Sequence, residues 1–341
     1  MKNKNITRFA AVFAMLVFFA GALVMVVKNY GKKSGSVPTE KTVFAMDTAC
    51  TAKVWGAQAE DICGEIKRLE GIFDCHSESS EFSKLNASGE AKLSAEAREL
   101  IEQSVELTGR YPDADITLGA VTKLWNVTGK EPRVPSEEQI QIALQTCGYE
   151  NIKLEGDRCT LANGAQLDAG AVAKGYALDK AMEMLKSSEA ECAVVTMGSS
   201  SLMYGRKPDG EEFTVAVRDP ENNDGNLLKF RTGECFVSTS GGYERFFEAN
   251  GERYIHIFDK AAGKPVQTDL TSVTVVCDNG LQSDQLATAI FIGGTKKLGE
   301  YFADKSIKII AVDAQGNIHV SKALEEKITL NDTRHKIIVE G

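Results

Sequence analysis

The sequence predicts an α+β fold, one unit of mixed sheets flanked by helices and preceded by a single N-terminal transmembrane helix. Three observations predict it. Helical and extended segments alternate without the regular rhythm of a doubly wound sheet. Hairpin-like strand runs dominate the second half, and one charge-free apolar run stands at the start. The 341 residues, 43% hydrophobic and 26% charged, suffice for one large domain or two smaller ones, and no linker-like stretch interrupts residues 41–341.

The first element is the run from Phe9 to Val27, nineteen residues without a charge. As a helix it spans roughly 28 Å, about the hydrocarbon thickness of a bilayer. Lys2, Lys4 and Arg8 precede it, and Lys28, Lys32 and Lys33 follow it. The competing reading is a cleaved signal peptide, for which Ala20-Gly21-Ala22 has the small-x-small form. Leu23 to Val27 continue the apolar run beyond that point, and an ordinary signal core is shorter. The expectation is an uncleaved anchor over residues 1–33, a flexible tether over 34–40 and the main body over 41–341. The flanking charges are balanced and do not orient the anchor.

Charge narrows the class of partner. The whole chain carries −9; removing the six basic residues of 1–33 from its 39 leaves 33 basic against 48 acidic residues in the body, a formal −15. Such a body repels a phosphate-rich strand, so nucleic acid is excluded as a partner. A phosphorylated small molecule requires local counter-charge, such as a metal ion. The eight cysteines form no CxxC pair and sit among apolar residues, which reads as buried free thiols and excludes a zinc site built on that spacing.

The remaining elements follow in order. Helices are predicted over 57–73, 94–110 behind Ser94, 171–187 and 283–292. Another starts at the Ser136/Gln139 capping box and closes at Gly148. Strands are predicted over 49–55, 191–197, 213–218, 252–258, 272–277 and 307–312, where β-branched and aromatic residues cluster.

Four segments carry chemistry. Leu167-Asp168-Ala169-Gly170-Ala171-Val172-Ala173-Lys174-Gly175-Tyr176 reads as an apolar lead-in, a small-residue turn and a helix N-terminus with a cation in its first turn. That arrangement lets backbone approach an anionic ligand, and equally describes a tight strand-to-helix turn with a surface lysine. In Ser283-Asp284-Gln285-Leu286-Ala287-Thr288, Asp284 and Thr288 are i and i+4 on one helix face, able to hold a hard cation; Asp284 near a helix start is also a plain dipole partner. Val237-Ser238-Thr239-Ser240-Gly241-Gly242-Tyr243 reads as a hydroxyl-rich turn. His256 follows on a strand, sharing a face with Tyr254 and opposite Ile255 and Ile257. The fourth is a series near the start: Met46-Asp47-Thr48, then Ser80-Glu81-Phe82-Ser83-Lys84-Leu85-Asn86, then Asp113-Ala114-Asp115-Ile116-Thr117-Leu118-Gly119 before Leu124-Trp125.

Taken in this order, from about Met46 to Gly294, the segments resemble the FAD:protein FMN transferase (ApbE) family. The resemblance implies a single ApbE-like, T-fold-related catalytic unit. It implies FAD as substrate and Mg2+ as cofactor, with transfer of the FMN half to a Ser or Thr hydroxyl of an acceptor protein and release of AMP. The implied flavin and nucleotide contacts are Met46, His76, Asp113, Ala114, Asp115, Asp168, Lys174, His256 and Ile257. The implied metal ligands are the Ala171 carbonyl, Asp284 and Thr288, and His256 and Asp284 are the implied catalytic residues. The resemblance further implies an acceptor that is a subunit of a membrane redox complex, and a catalytic domain outside the cytoplasm on a single-pass anchor in the cell membrane. Two other activities compete: an Mg2+-dependent FAD pyrophosphatase, and a membrane-tethered flavin-binding protein without catalysis. The sequence departs from the family pattern at Asp47, where Gly is usual, and at Ala114, where Phe is usual. It departs again at Ile116 for Pro, at Met197-Gly198-Ser199-Ser200 for a Gly-Gly-Asp/Asn turn, and at His76 for an aromatic or Asn residue.

Overall fold

The computed structural model describes residues 37–222, 225–331 and 334–341. The expected N-terminal helix lies outside them. Among the described residues no helix is long and apolar enough to cross a membrane.

The centre of the fold is one nine-stranded sheet. Its strands are β1 (Thr39–Ala45), β2 (Thr48–Trp55), β3 (Cys192–Met197), β4 (Ser200–Gly205), β5 (Cys235–Gly241), β6 (Leu270–Cys277), β7 (Lys308–Asp313), β8 (Ile318–Ser321) and β9 (Ile337–Glu340). They lie side by side in chain order. Each neighbouring pair is antiparallel except β8 and β9, which are parallel. The pairs β1–β2, β3–β4 and β7–β8 are local hairpins, for which antiparallel strands need only short connections. The long excursions between strands carry the helices: α1 (Ala59–Phe73), α2 (Glu81–Ser88), α3 (Ala95–Arg110), α4 (Gly119–Trp125), α5 (Glu137–Leu144) and α6 (Ala173–Lys186) between β2 and β3, then α7 (Gly280–Gly293) and α8 (Leu298–Phe302) between β6 and β7. The architecture is mixed α+β, as the sequence predicts.

Alternation along the strands divides the core in two. Phe236, Val273, Val275, Ile309 and Ala311 point to the helical side, against residues of α7 such as Leu281, Leu286 and Ile290. Val237, Val276, Ile310 and Val312 point to the other side, where a three-stranded sheet of Phe213–Arg218, Asn226–Thr232 and Ile328–Leu330 covers them with Phe213, Val217 and Phe230. All eight cysteines are free thiols and six are buried, as expected.

Four local expectations need correction. The segment from Val237 is not a turn: Cys235–Gly241 is the central strand β5, and its hydroxyls are bonded sideways to neighbouring elements. The predicted strand 252–258 breaks at His256. Glu252–Ile255 pairs with Phe246–Ala249, and Phe258–Asp259 pairs with Lys264–Pro265. The break arises because His256 N donates to Arg245 O while Ile257 O accepts from Val266 N, so the two residues bond in different directions. Helix α5 ends at Leu144, before Gly148. Helix α7 starts at Gly280 because Asn279 Oδ1 accepts from Gln282 N at 2.7 Å. Asp284 therefore stands a full turn inside the helix rather than at its start.

Candidate functional site

The site is organised where α6 crosses α7. Gly175 and Gly280 face each other at the crossing: a Cβ on Gly175 would lie 2.2 Å from Gly280 O and 2.8 Å from Asp284 Cβ. The absence of side chains lets the two backbones approach closely. As a result the amide of Gly175, free near the N-terminus of α6, donates to Asp284 Oδ2 at 3.1 Å. Ser200 Oγ donates to Asp284 Oδ1 at 3.1 Å, and Lys174 Nζ lies 3.4 Å from Oδ2. Asp284 is only 5% exposed. A buried carboxylate of this kind is tolerable because every lone-pair direction in use meets a donor or a cation.

Thr288 sits one turn further along the same face. Its Oγ1 is 3.1 Å from Ser240 Oγ of β5 and donates to Asp284 O at 3.4 Å. Ser238 Oγ and Ser283 Oγ, 2.8 Å apart, hold α7 to β5 one turn earlier. Thus the hydroxyls of β5 fix the helix that carries Asp284 and Thr288.

The turn before α6 is pinned from two directions. Asp168 N donates to Ile116 O at 2.7 Å, and Leu118 bridges Gln166 in parallel. Asn86 makes reciprocal bonds to Leu167, accepting from its N–H at 2.7 Å and donating to its carbonyl at 2.9 Å. The Ser80-to-Asn86 segment is therefore scaffolding: Ser80 caps α2, Glu81 accepts from Ser94 N, and Asn86 presents Asp168. Asp168 Oδ1 accepts from Gly170 N at 2.8 Å, which tightens the small-residue turn. Ala171 is partly exposed at that turn, and Lys174 Nζ bends back to 3.5 Å from Gly170 O.

His256 is held by Arg245. Its Nδ1 lies 3.1 Å from Arg245 O. A carbonyl only accepts, so Nδ1 carries the proton and Nε2 keeps its lone pair. Burial, then the charges of Arg245 and Lys174, push the imidazole down from 6.5 to about 4, against opposing pulls from the hydrogen bond to the Arg245 carbonyl and from Asp168. His256 is thus neutral at physiological pH with Nε2 available as a base. Burial raises the carboxyl pKa of Glu244, next to Arg245.

The other expected contacts differ in their surroundings. Met46 is the first residue of a two-residue turn between β1 and β2; Met46 and Asp47 have φ of 49° and 57°. That turn explains why glycine suits position 47, and aspartate tolerates the same left-handed backbone better than most residues. Met46 N donates to Glu70 Oε1 at 2.7 Å. Asp115 is buried with its carboxylate engaged by Thr117 N and Oγ1, Tyr149 N and Lys260 Nζ. Asp113 is bonded by Lys297 at 2.7 and 2.8 Å and by Tyr301 at 3.3 Å. Both acids hold loops together through these bonds. Ala114 is buried, and its carbonyl accepts from Thr108 Oγ1 and Gln285 Nε2. Ile257 is buried, and His76 is exposed beside Cys75, whose Sγ donates to Leu167 O at 3.2 Å.

Sequence reasoning missed four participants: Gly175 N, Ser200, Ser240 and Arg245. Gly175 stood inside a quoted segment, and Ser200 was visible as a departure from a Gly-Gly-Asp/Asn turn. Nothing local marked Arg245, because its partners Asp47 and His256 come from other segments.

The Asp284 neighbourhood suits a hard divalent cation. Its candidate ligand atoms are all oxygen, one carboxylate and hydroxyl partners on a shared face. Among the described residues no group of three or more His, Cys, Asp or Glu side chains converges. A single carboxylate with open positions is the arrangement that magnesium adopts when substrate phosphates complete its shell.

The chain has relatives among known proteins. The family model described as the ApbE family matches residues 46–312. A curated relative from Treponema pallidum, named FAD:protein FMN transferase, is 29% identical over 309 residues, covering 81% of this chain and 85% of its own. A Vibrio cholerae protein of the same name is 28% identical over 254 residues, covering 72% and 75%. The crystal structure of the ApbE protein from Thermotoga maritima superposes with a TM-score of 0.78 at 30% identity, over 84% of this chain and 97% of that one. The apo flavinyl transferase ApbE of Pseudomonas stutzeri gives 0.75 at 27% identity, over 84% and 94%. With the family model matching most of its length and the same fold in solved members, this chain belongs to the ApbE family.

Proposed function

We propose that the chain transfers the FMN half of FAD to a Ser or Thr hydroxyl of an acceptor flavoprotein, with Mg2+ as cofactor and AMP as the second product. The observation that carries this reading is the pairing of a buried carboxylate–lysine–helix-terminus cluster at Asp284 with a neutral, oriented imidazole at His256. The first is built to neutralise a diphosphate, and the second to take a proton from an incoming hydroxyl.

The reaction is a phosphoryl-type displacement. The acceptor Oγ attacks the phosphorus on the FMN side; its proton passes to His256 Nε2. The bridging P–O bond breaks, and AMP leaves with the bonding pair. The FMN becomes attached through a phosphodiester. Asp284, Thr288 and the Ala171 carbonyl would hold Mg2+, which when bound neutralises charge on the diphosphate. Lys174 and the N-terminal amides of α6 add positive potential there. Asp168 and Met46 stand where the resemblance places flavin contacts. An N-terminal anchor presenting the domain outside the cytoplasm, to a subunit of a membrane redox complex, completes the proposal.

The test uses the full-length chain in detergent with FAD, Mg2+ and an acceptor domain bearing a flavinylation Thr. Covalent flavin fluorescence on the acceptor, with AMP in equal amount, is the expected result. Free FMN plus AMP without acceptor labelling makes the enzyme a pyrophosphatase instead, and neither product reduces it to a flavin-binding protein.

A further inference from the structure

Arg245 takes no part in the chemistry above, yet it touches both walls of the site. Its guanidinium reaches the tip of the β1–β2 hairpin: Nη2 donates to Asp47 O at 2.9 Å, and Nη1 lies 3.5 Å from Asp47 Oδ2. Its own carbonyl accepts from both N and Nδ1 of His256, each at 3.1 Å. One residue therefore joins the turn that carries Met46 to the imidazole that carries the base.

We propose that Arg245 is the positioning residue for His256, clasping the Met46-Asp47 turn with its side chain while its carbonyl fixes the ring with Nε2 facing the reaction. The assignment rests on His256 being the base in the transfer described above. The guanidinium suits the task, because its planar fork makes two directed bonds where a lysine makes a point contact. The bond to the Asp47 main chain is the stronger arm. The ion pair to the Asp47 carboxylate is longer, and that carboxylate is 69% exposed, so solvent screens it. Asp47→Gly, which suits the left-handed backbone of the turn, keeps the carbonyl arm and should leave the clasp intact.

The clasp also has an electrostatic consequence. The charged groups facing His256 are Arg245 from its own hairpin, Lys174 from α6 and Asp168 from the turn before α6. The two cations oppose protonation of the ring, while the Arg245 carbonyl and Asp168 favour it. Removing the Arg245 charge while Lys174 and Asp168 stay leaves the ring easier to protonate.

The experiment is a nitrogen-15 histidine titration of the full chain in micelles, run beside the transfer assay, on the wild type, Arg245→Met and Arg245→Lys. The wild type should show the Nδ1–H tautomer of His256. Arg245→Met should titrate at a higher pH, with the acid limb of the rate profile moving the same way and transfer slowed by about 10²-fold from misplacement of the base. Arg245→Lys should keep the titration near that of the wild type and still lose rate, because it retains the charge without the fork. An Nε2–H tautomer in the wild type, or an Arg245→Met variant with unchanged titration and rate, overturns the proposal. Failure of the underlying reading has a different signature: a wild type that never labels acceptor, or a His256→Asn variant that labels it at full rate, whatever the titration shows.

Discussion

The Asp284 half of the site and the His256 half are built by opposite means. Asp284 is set in the core, where two helices touch backbone to backbone and three donors converge on one buried carboxylate. His256 stands at a break between two short strands, oriented by one carbonyl whose residue is tied to a hairpin tip. The difference matches their tasks. Charge neutralisation needs preorganised dipoles that do not relax. Admission of an acceptor needs a rim made of turns and hairpins, which packing constrains less.

The largest expected effect breaks the core half. Asp284→Ala should abolish transfer and FAD hydrolysis alike, a loss of at least about 10²–10³-fold, measured as AMP release. Full Mg2+-dependent activity in that variant removes Asp284 from the metal site. Breaking the rim half should cost rate without structure: His256→Asn should slow transfer by about 10²–10⁴-fold with little change in melting temperature. A comparable loss of both would show that the ring is a packing element.

A third change asks whether the crossing is as tight as the geometry states. Gly175→Ala puts a methyl group against Gly280 O and Asp284 Cβ, so the helices must separate. It should destabilise by about 1–3 kcal/mol in denaturant unfolding and weaken Mg2+ binding with it. Unchanged stability would contradict the contact.

The fourth prediction concerns pH. His256 is held near 4 in the folded chain against 6.5 ordinarily, so between those values the unfolded chain binds more protons. Its contribution to stability is complete above 6.5 and is lost as pH falls toward 4. His256→Asn should flatten that part of the stability profile, which chemical denaturation at stepped pH measures. The smallest effect is at the exposed His76: an aromatic replacement, the residue type usual there in the family pattern, should move stability by less than about 0.5 kcal/mol in denaturant unfolding.

The site was legible in the sequence where its logic is local. The Asp168-to-Lys174 turn announces itself by small residues beside an acid and a base, and Asp284 with Thr288 by their i and i+4 spacing. The same holds for β2, β3, β6 and β7, whose β-branched runs were recognisable. Strand β5 was misread because Ser238, Thr239, Ser240 and Gly241 carry turn chemistry. Burial between β4 and β6 overrides that preference, and the hydroxyls find partners on α7 and β6.

By itself, then, the sequence determined the α+β class, the order of its motifs, the free buried thiols and the hard-oxygen character of the Asp284 segment. These follow from periodicity, composition and residue chemistry within short windows. The tertiary structure alone decided that Gly175 would offer its amide to Asp284 across 109 positions and that Ser200 would offer its hydroxyl across 84. It alone decided that Arg245 would reach back 198 positions to Asp47 while holding His256. Such contacts depend on where a nine-stranded sheet brings distant turns together, and no local preference of the chain encodes that distance.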